Sequence, residues 1–319
     1  MQSSETSRSF SLASVKPFQQ LENYRAFCIQ AMQRALSKQK SRRTISPITG
    51  SPLEAYGSIG TLEYLRCPKT GSLFLAELPS ASEWTALLTE IARFRNAPEG
   101  FHGEVRSSRS ANVYQPKMEW IENSLLINEV RKASLLEVIT LPTELSQRLK
   151  QSSLVDHVAQ HPETVPENPL PPKSQCDAAI LLESLDRTND PLGLLQSVEG
   201  QMKRGGLLFV TALVSSGFDF SILGLRNHYL YPPDRTNCFS LAGLQRLIEQ
   251  VGFELIEVST PGVLDVEIVR AHKAEDPTIP LSSFEKSVID GNPELSGAFQ
   301  SFLQQNQLSS FARIVGRKK

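Results

Sequence analysis

The chain has few cysteines, almost no net charge and no long apolar run, and each shortage argues against a class of protein. Its 319 residues include four cysteines, and their scattered positions do not form a disulfide framework. A formal net charge of -1 at pH 7 argues against a nucleic-acid partner. No apolar run reaches the length of a membrane span, and the N-terminus lacks the regions of a signal peptide. We therefore expect a cytoplasmic protein without a membrane span.

The remaining composition is ordinary, but the chain is longer than a usual single domain. Hydrophobic residues make up 40% of the chain and charged residues 21%, as in other globular proteins. A length of 319 residues therefore predicts one main domain with an appendage.

The middle of the chain carries the pattern of a βαβ unit. The apolar run 178–182 has the length of a buried strand. A second run, 207–211, follows a helical period and the pair Gly205-Gly206. Apolar strands separated by helices are typical of a parallel sheet that is covered on both faces. We expect a right-handed crossover between these two strands.

The N-terminal part of the chain alternates between helical patterns and stretches without one. Apolar residues recur at helical spacing over residues 18–40 and 82–94. Residues 1–15 are rich in serine and should be poorly ordered, and residues 96–117 are predicted to form a mobile loop. An acidic ligand or a solvated linker would both account for the arginines near this loop, which are Arg93, Arg95, Arg106 and Arg109.

Several stretches of the chain resemble the second half of the class I S-adenosylmethionine-dependent methyltransferases. In that family an Asp opens the fourth strand, a Leu-Glu-His loop follows it, and a Gly-Gly turn precedes the fifth strand. Later in the family come a Pro-Pro segment, a helix that begins near Phe-Ser, and a Gly-Phe pair between that helix and the next strand. The corresponding parts of this chain are Asp177 and residues 185–191, 202–206, 231–235 and 239–255. Residues 260–266 and 308–311 resemble one bacterial branch, which has a small zinc ribbon before the main domain.

The resemblance implies an α/β fold, with a Rossmann-like methyltransferase sheet, helices on both faces, and a small N-terminal helix and hairpin module. The main domain is expected at residues 131–275. Before it come a disordered start with a helix (1–44), a ribbon-like hairpin (45–80) and a helical connector (81–130). A helical extension (276–319) follows it.

The two turns that would hold zinc in the bacterial branch have lost most of their cysteines. Two pairs of cysteines would bind one structural zinc ion there. The corresponding positions in this chain are Ser46, Thr49, Cys67 and Thr70. Neutral hydroxyls are poor zinc ligands, so we expect no zinc, with the turns and a hairpin of residues 62–65 and 72–75 retained. The alternative is that the repeat of Pro-x-Thr-Gly is coincidental.

The cofactor loop of the family is also altered. A glycine-rich loop follows the first strand in the family, and its glycines let the backbone approach S-adenosylmethionine. The first strand is predicted here at residues 132–138, but residues 137–145 contain no glycine. Ile139, Thr140 and Leu141 instead place bulky side chains at this position. We therefore regard S-adenosylmethionine as the implied cofactor but expect its binding site to be degenerate.

The resemblance still assigns individual residues to the cofactor. The link between the first and fourth strands is short and rich in proline, which predicts one helix at 143–150, one strand and a truncated remainder. Asp156 is the candidate for the acid that accepts both ribose hydroxyls. The implied cofactor-binding residues are Glu137, Thr140, Asp156, Leu182 and Glu183.

His228 and Tyr231 are the candidates for catalysis. They follow the fifth strand, in a loop that should border the substrate pocket. A histidine is a suitable general base near neutral pH, although methyl transfer depends mainly on in-line positioning. The alternative for His228 is a hydrogen-bonded loop residue.

Two functions are compatible with these patterns. The first is a methyltransferase-like protein with a degenerate cofactor site, weakly active or non-catalytic, that binds a protein partner. The second is an active methyltransferase that acts on a small molecule or a glycan in a bacterial biosynthetic pathway. The fold-bearing motifs are retained while the ligand-binding motifs are altered together, which favours the first.

Overall fold

The computed structural model describes residues 12–15, 17–97, 105–164 and 175–319. The α-helices are α1 (Leu12–Val15), α2 (Phe18–Leu36), α3 (Ala81–Asn96), α4 (Arg106–Arg109), α5 (Gln115–Ile127), α6 (Glu144–Gln151), α7 (Ser184–Arg187), α8 (Pro191–Glu199), α9 (Phe218–Leu223), α10 (Leu241–Gln250), α11 (Asp265–Glu275), α12 (Ser283–Ile289) and α13 (Pro293–Gln305). The strands are β1 (Lys40–Arg42), β2 (Glu54–Ile59), β3 (Leu62–Arg66), β4 (Leu73–Leu75), β5 (Glu77–Pro79), β6 (Ala133–Val138), β7 (Val155–His161), β8 (Cys176–Leu182), β9 (Met202–Leu213), β10 (Asn237–Cys238), β11 (Phe253–Ser259) and β12 (Phe311–Lys318).

The main sheet has the strand order β11-β12-β9-β8-β6-β7. Strands β7, β6, β8 and β9 are parallel to one another, and β12 is antiparallel to both β9 and β11. Ala178 lies opposite Leu207 and Leu182 lies opposite Thr211, which confirms the predicted parallel pairing. The α/β fold expected from the sequence is therefore present.

The apolar strands form two cores because their side chains alternate between the faces of the sheet. Along β9, Leu208 and Val210 pack on one face, where α8 and α10 cover them. Leu207 and Phe209 pack on the other face, under α5 and α6. Burial on both faces explains why β9 reads as a continuous apolar run.

A smaller antiparallel sheet lies N-terminal to the main sheet and has the order β10-β4-β3-β2. Strands β3 and β4 pair antiparallel, which confirms the predicted hairpin. No local pattern indicates that β10, from the main part of the chain, pairs with β4. This strand joins the N-terminal module to the main domain.

The two turns of the predicted ribbon carry three hydroxyls and one thiol. Gly50 and Gly71 have φ angles of +65° and +77°, which residues with a side chain rarely adopt. Cys67 is fully buried, and Thr49 Oγ1 lies 3.5 Å from its Sγ. Burial alone would raise the pKa of this thiol, but hydrogen bonds from Ser46, Thr49 and Thr70 outweigh it and lower the pKa to about 6. Three hydroxyls and one thiol are not a donor set that suits zinc.

The prediction of a mobile loop over residues 96–117 is wrong for its second half. Residues 106–127 form α4, a π-helical turn at Ser110–Tyr114, and α5. Trp120 and Ile121 of α5 are buried against the main sheet. Tertiary packing therefore orders a segment whose own periodicity is weak. Residues 98–104 lie outside the described part of the chain, as do residues 1–11.

The C-terminal segment returns to the sheet after α12 and α13. Residues 276–319 are expected as a helical extension, but their last part is strand β12, which lies between β9 and β11. The link between the first and fourth strands contains α6 and β7, as predicted, while residues 165–174 lie outside the described ranges. Within the described residues, none of the helices has the length and apolar character needed to cross a membrane.

Candidate functional site

A cavity of about 310 Å³ lies at the carboxyl edge of the parallel strands. Open α/β sheets bind their ligands at this edge, outside the ends of the strands. Val138 and Ile139 line the cavity from the end of β6, and Leu182 and Glu183 line it from the end of β8. The remaining walls come from α2, α3, the residues 109–117, and the segments 261–265 and 309–313.

The acid at the end of the first strand, Glu137, is hydrogen-bonded to other side chains of the protein. Glu137 is buried, and it accepts hydrogen bonds from Ser146 Oγ at 2.7 Å and Gln160 Nε2 at 3.4 Å. Burial raises the pKa of Glu137, against the opposing effect of these two donors. Ser146 also forms the capping box of α6 with Thr143. Helix α6, which follows the loop at the cofactor position, is therefore hydrogen-bonded to Glu137 through Ser146.

A second buried acid lies at the carboxyl end of β7. Glu163 Oε1 accepts hydrogen bonds from Arg187 Nε at 2.9 Å and Arg187 Nη2 at 2.7 Å. Its other oxygen, Oε2, accepts a short hydrogen bond from Thr140. Both carboxylate oxygens thus have protein partners. Glu163 follows β7 at the carboxyl edge, where the resemblance leads us to expect a ribose-binding acid.

Asp156 does not reach this edge. It is the second residue of β7, at the amino end of the strand, and its side chain is exposed. Thr140 lies beside Glu163, and Glu137, Leu182 and Glu183 line the cavity. The structure thus brings four of the five predicted cofactor residues to the carboxyl edge and leaves Asp156 at the opposite end.

Glu183 adopts an unusual backbone conformation directly after β8. Its φ is 61°, in the left-handed region that costs an ordinary residue about 1–2 kcal/mol. Lys117 Nζ lies 3.2 Å from one carboxylate oxygen of Glu183, and Arg235 Nη2 lies 2.8 Å from the other. Burial by itself raises the pKa of Glu183, but these two cations outweigh it and hold that pKa well below its usual range. The ion pairs offset the backbone strain and fix a carboxylate in the cavity wall.

Asp186 is a fully buried acid just behind this network. The backbone N–H of Leu213 donates to its Oδ2 at 3.0 Å, and Arg235 Nη1 lies 3.5 Å from the same atom. Oδ1 has no hydrogen-bond partner among the described residues. Burial raises the pKa of Asp186 to about 7, although Arg235 and the Leu213 amide oppose the shift. In the folded protein, Asp186 is therefore only partly ionised near neutral pH.

Replacing Asp186 with Asn should flatten the dependence of stability on pH. The folded-state pKa, about 7, lies above that of an unfolded Asp, so the folded protein binds the proton more tightly. This contribution is complete below pH 4 and is lost as the pH rises through 7. Between pH 5 and 8 the wild type should lose on the order of 3 kcal/mol relative to D186N. Urea unfolding of both proteins across this range measures the difference, with Asp177→Asn as a half-exposed control. Parallel curves for wild type and D186N would contradict the assignment.

Tyr231, one of the two catalytic candidates, lines the cavity as part of a buried cluster. Tyr24 and Tyr231 donate to Asp234 Oδ2, at 3.0 Å and 3.4 Å. Burial raises the pKa of Tyr231 well above its usual value, and the charge of Asp234 adds to the shift. Tyr231 is therefore a neutral hydrogen-bond donor. Arg95 Nη1 lies 3.7 Å from Asp234 Oδ1 at the edge of the same cluster.

His228, the other catalytic candidate, is not part of the cavity lining. Its Nδ1 lies 2.9 Å from Glu22 Oε1, and its ring stacks at a tilt on Phe18. Its backbone N–H donates to His272 Nε2 at 3.0 Å. These contacts favour the alternative reading of a loop histidine that holds α2 and α11 together.

Several residues of the site carried no signal that identified them in the sequence. Glu163 lies in a proline-rich stretch, and Lys117 lies in a segment predicted as a loop. Asp186 and Arg187 lie in residues 185–191, the loop after the fourth strand, but the sequence does not indicate their partners. Arg95 and Arg109 were noted as charges that would suit an acidic ligand, and both line the cavity.

Solved structures with a similar fold are methyltransferases and related proteins. A 1,6-didemethyltoxoflavin-N1-methyltransferase from Burkholderia thailandensis, solved with S-adenosylhomocysteine, is 10% identical (TM-score 0.41; 83% of this chain and 99% of that chain). An S-adenosylmethionine-dependent methyltransferase from Thermotoga maritima is 17% identical (TM-score 0.34; 65% and 98%). The YcgJ protein from Bacillus subtilis is 14% identical (TM-score 0.38; 62% and 97%). No curated protein matches the chain.

The sequence itself matches a protein family over most of the main domain. The model of the methyltransferase domain family covers residues 69–258, which is more than half of the 319-residue chain. The matched residues include β6, β8 and β9, whose carboxyl ends form the cavity. The chain therefore belongs to the methyltransferase domain family.

Proposed function

We propose that this chain is a methyltransferase-fold protein that has lost efficient use of S-adenosylmethionine and serves as a binding or assembly protein, with a protein partner. The observation that carries the proposal is the closed pairing of Glu163 with Arg187 and Thr140. A ribose-binding acid needs both carboxylate oxygens for two hydroxyls. Here both oxygens are occupied, so the cofactor would have to displace a buried ion pair.

The residues present do not fit the cofactor's methionine part either. Ile139 and Leu141 are both half-buried at the positions where the family has glycine, and Ile139 lines the cavity. Their side chains occupy volume that a glycine loop leaves to the cofactor. The acid beneath the loop, Glu137, is bonded to Ser146 and Gln160. The loop and the two acids, Glu137 and Glu163, thus all support a loss of cofactor binding.

The alternative is an active methyltransferase acting on a small molecule or a glycan. One observation favours it: a cavity of about 310 Å³ remains at the carboxyl edge, where the family binds its ligands. Tyr231 and Asp234, which line the cavity, would then position the methyl acceptor. The same binding experiment separates the two functions.

Isothermal titration calorimetry with S-adenosylmethionine and S-adenosylhomocysteine tests the proposal. We expect no saturable binding to the wild type at millimolar ligand, because Glu163 and the loop are unavailable to it. The variant Glu163→Gln is included because a cofactor that uses this carboxylate would bind it more weakly. Asp156→Asn, at the exposed end of the same strand, is the matched control.

Two results would contradict this proposal. Micromolar binding to the wild type would show a working cofactor site despite its sequence. Binding that weakens in E163Q but not in D156N would further identify Glu163 as a cofactor ligand. Either result would favour the active methyltransferase.

A further inference from the structure

Among the described residues, six cationic side chains line the cavity, together with five acidic ones. The cations come from α3, α4, α5, α7, the segment before β10, and β12. These residues are Arg95, Arg109, Lys117, Arg187, Arg235 and Arg313. Cations at the wall of a cavity either neutralise acids of the protein or await an anion from solution, and their partners distinguish the two cases.

Three of the cations are neutralised by acids. Lys117 and Arg235 share Glu183, and Arg187 pairs with Glu163. These pairs account for the carboxylates at the end of β8 and β7. They hold the wall together and have little capacity left for a ligand.

Arg95 has only a long contact with an acid, Asp234. Its contact with Asp234 Oδ1 is 3.7 Å long, which exceeds hydrogen-bond distance. The other oxygen of Asp234 accepts from Tyr24 and Tyr231. A guanidinium has five N–H donors, and among the described residues none accepts a hydrogen bond from Arg95. The Arg95 side chain is only 12% exposed, so water satisfies few of these donors.

Arg109 has no acidic partner among the described residues. Its Nη1 donates to the backbone oxygen of Val15 at 3.2 Å, and its guanidinium lies over the ring of Tyr114. Its Nε is buried and has no acceptor in the described part of the chain. Buried donors without acceptors are costly, which is why such groups usually have a ligand or water as partner.

Much of the rest of the lining is apolar, beside the acids Glu137, Glu183, Asp219, Asp234 and Asp265. Leu21, Ile139, Leu182, Leu264 and Ile268 face the same cavity. Pockets of this type, with an apolar wall and a few convergent polar groups, bind small organic molecules. The donors of Arg95 and Arg109 match carboxylate or phosphate oxygens, which accept two hydrogen bonds from one guanidinium.

We propose that the cavity binds a small organic anion, a molecule with a carboxylate or phosphate group on an apolar body, through Arg95 and Arg109. The inference deepens the proposed function, because it names the ligand of the same cavity. It does not depend on whether S-adenosylmethionine binds, since neither arginine contacts Glu163 or Glu137. The two proposals can therefore fail separately.

The chain offers matched controls on the same two helices. Arg93 lies two residues before Arg95 on α3, and Arg106 lies three residues before Arg109 on α4. Both control arginines are exposed and neither lines the cavity. Replacing any of the four by Gln removes one positive charge, so only position differs.

The test is isothermal titration calorimetry of the full chain with phenyl phosphate, benzoate and citrate, at constant ionic strength, and with benzyl alcohol as a neutral analogue. We expect saturable binding of at least one anion and none of benzyl alcohol. Arg95→Gln and Arg109→Gln should each weaken the binding by roughly tenfold or more, as expected for a hydrogen bond to a charged group. R93Q and R106Q should bind like the wild type.

Three results would overturn the proposal. One is the absence of binding for all three anions. Another is equal weakening in the cavity variants and the surface variants, which would indicate long-range attraction only. The third is unchanged binding in both R95Q and R109Q. If R95Q does not fold by circular dichroism, R109Q decides, because Arg109 makes one backbone hydrogen bond and no ion pair among the described residues.

Discussion

Replacing Arg187 with Met should lower the free energy of unfolding by about 3–5 kcal/mol. The Arg187 side chain is 10% exposed and that of Glu163 is 1% exposed, so the loss of the cation leaves an unpaired carboxylate in the interior. The methionine keeps much of the length of the side chain, so the change is mainly one of charge. Urea unfolding followed by circular dichroism measures the effect.

The matched control for R187M is Lys203→Met. Lys203 pairs with Asp177 at 2.6 Å, but its side chain is 49% exposed. Removal of such a surface pair should cost less than about 1 kcal/mol, because water screens both charges. A loss in R187M no greater than that in K203M would show that the Glu163 pair does not stabilise the fold. The argument for a closed cofactor site would then fail with it.

The variant Gly217→Ala should lower the free energy of unfolding by about 3 kcal/mol. Gly217 has a φ of -79°, which any residue adopts, so the effect comes from space alone. A Cβ on this residue would overlap the Oγ and Cα atoms of Ser310. Ser310 cannot move away easily, because its N–H donates to Asp265 Oδ1 at 2.7 Å and its C=O accepts from Val214. Urea unfolding again provides the measurement.

For Gly297→Ala we expect the opposite change in stability. Gly297 lies within α13, and a Cβ there would meet no atom within 4 Å. Alanine favours the helix by about 0.5–1 kcal/mol over glycine, so G297A should be slightly more stable than the wild type. If G217A and G297A change stability in the same direction, the contact between Gly217 and Ser310 is not as close as described.

Local patterns in the sequence determined much of the fold. The apolar runs 178–182 and 207–211 became β8 and β9 because a strand buried on both faces needs apolar side chains at every position. Helix α6 and the hairpin of β3 and β4 also followed from short-range signals. The absence of glycine in residues 137–145 already indicated an altered cofactor loop.

The candidate site was decided by long-range contacts that no local pattern contains. Arg187 pairs with a residue 24 positions away, and Glu183 receives partners from 52 and 66 positions away. The sequence favoured Asp156 as the acid at the end of the second strand, whereas the structure places Asp156 near the amino end of β7 and Glu163 just beyond its carboxyl end.

The sequence by itself therefore determined which segments are buried, because apolar residues recur with the spacing of a helix or a strand where one face is buried. Only the tertiary structure decided which charges meet. The sequence does not indicate whether a charged side chain faces water or the interior of the protein. Arg93 and Arg95, two positions apart on α3, are an example. One is exposed and the other lines the cavity, because the helix turns about 200° between them.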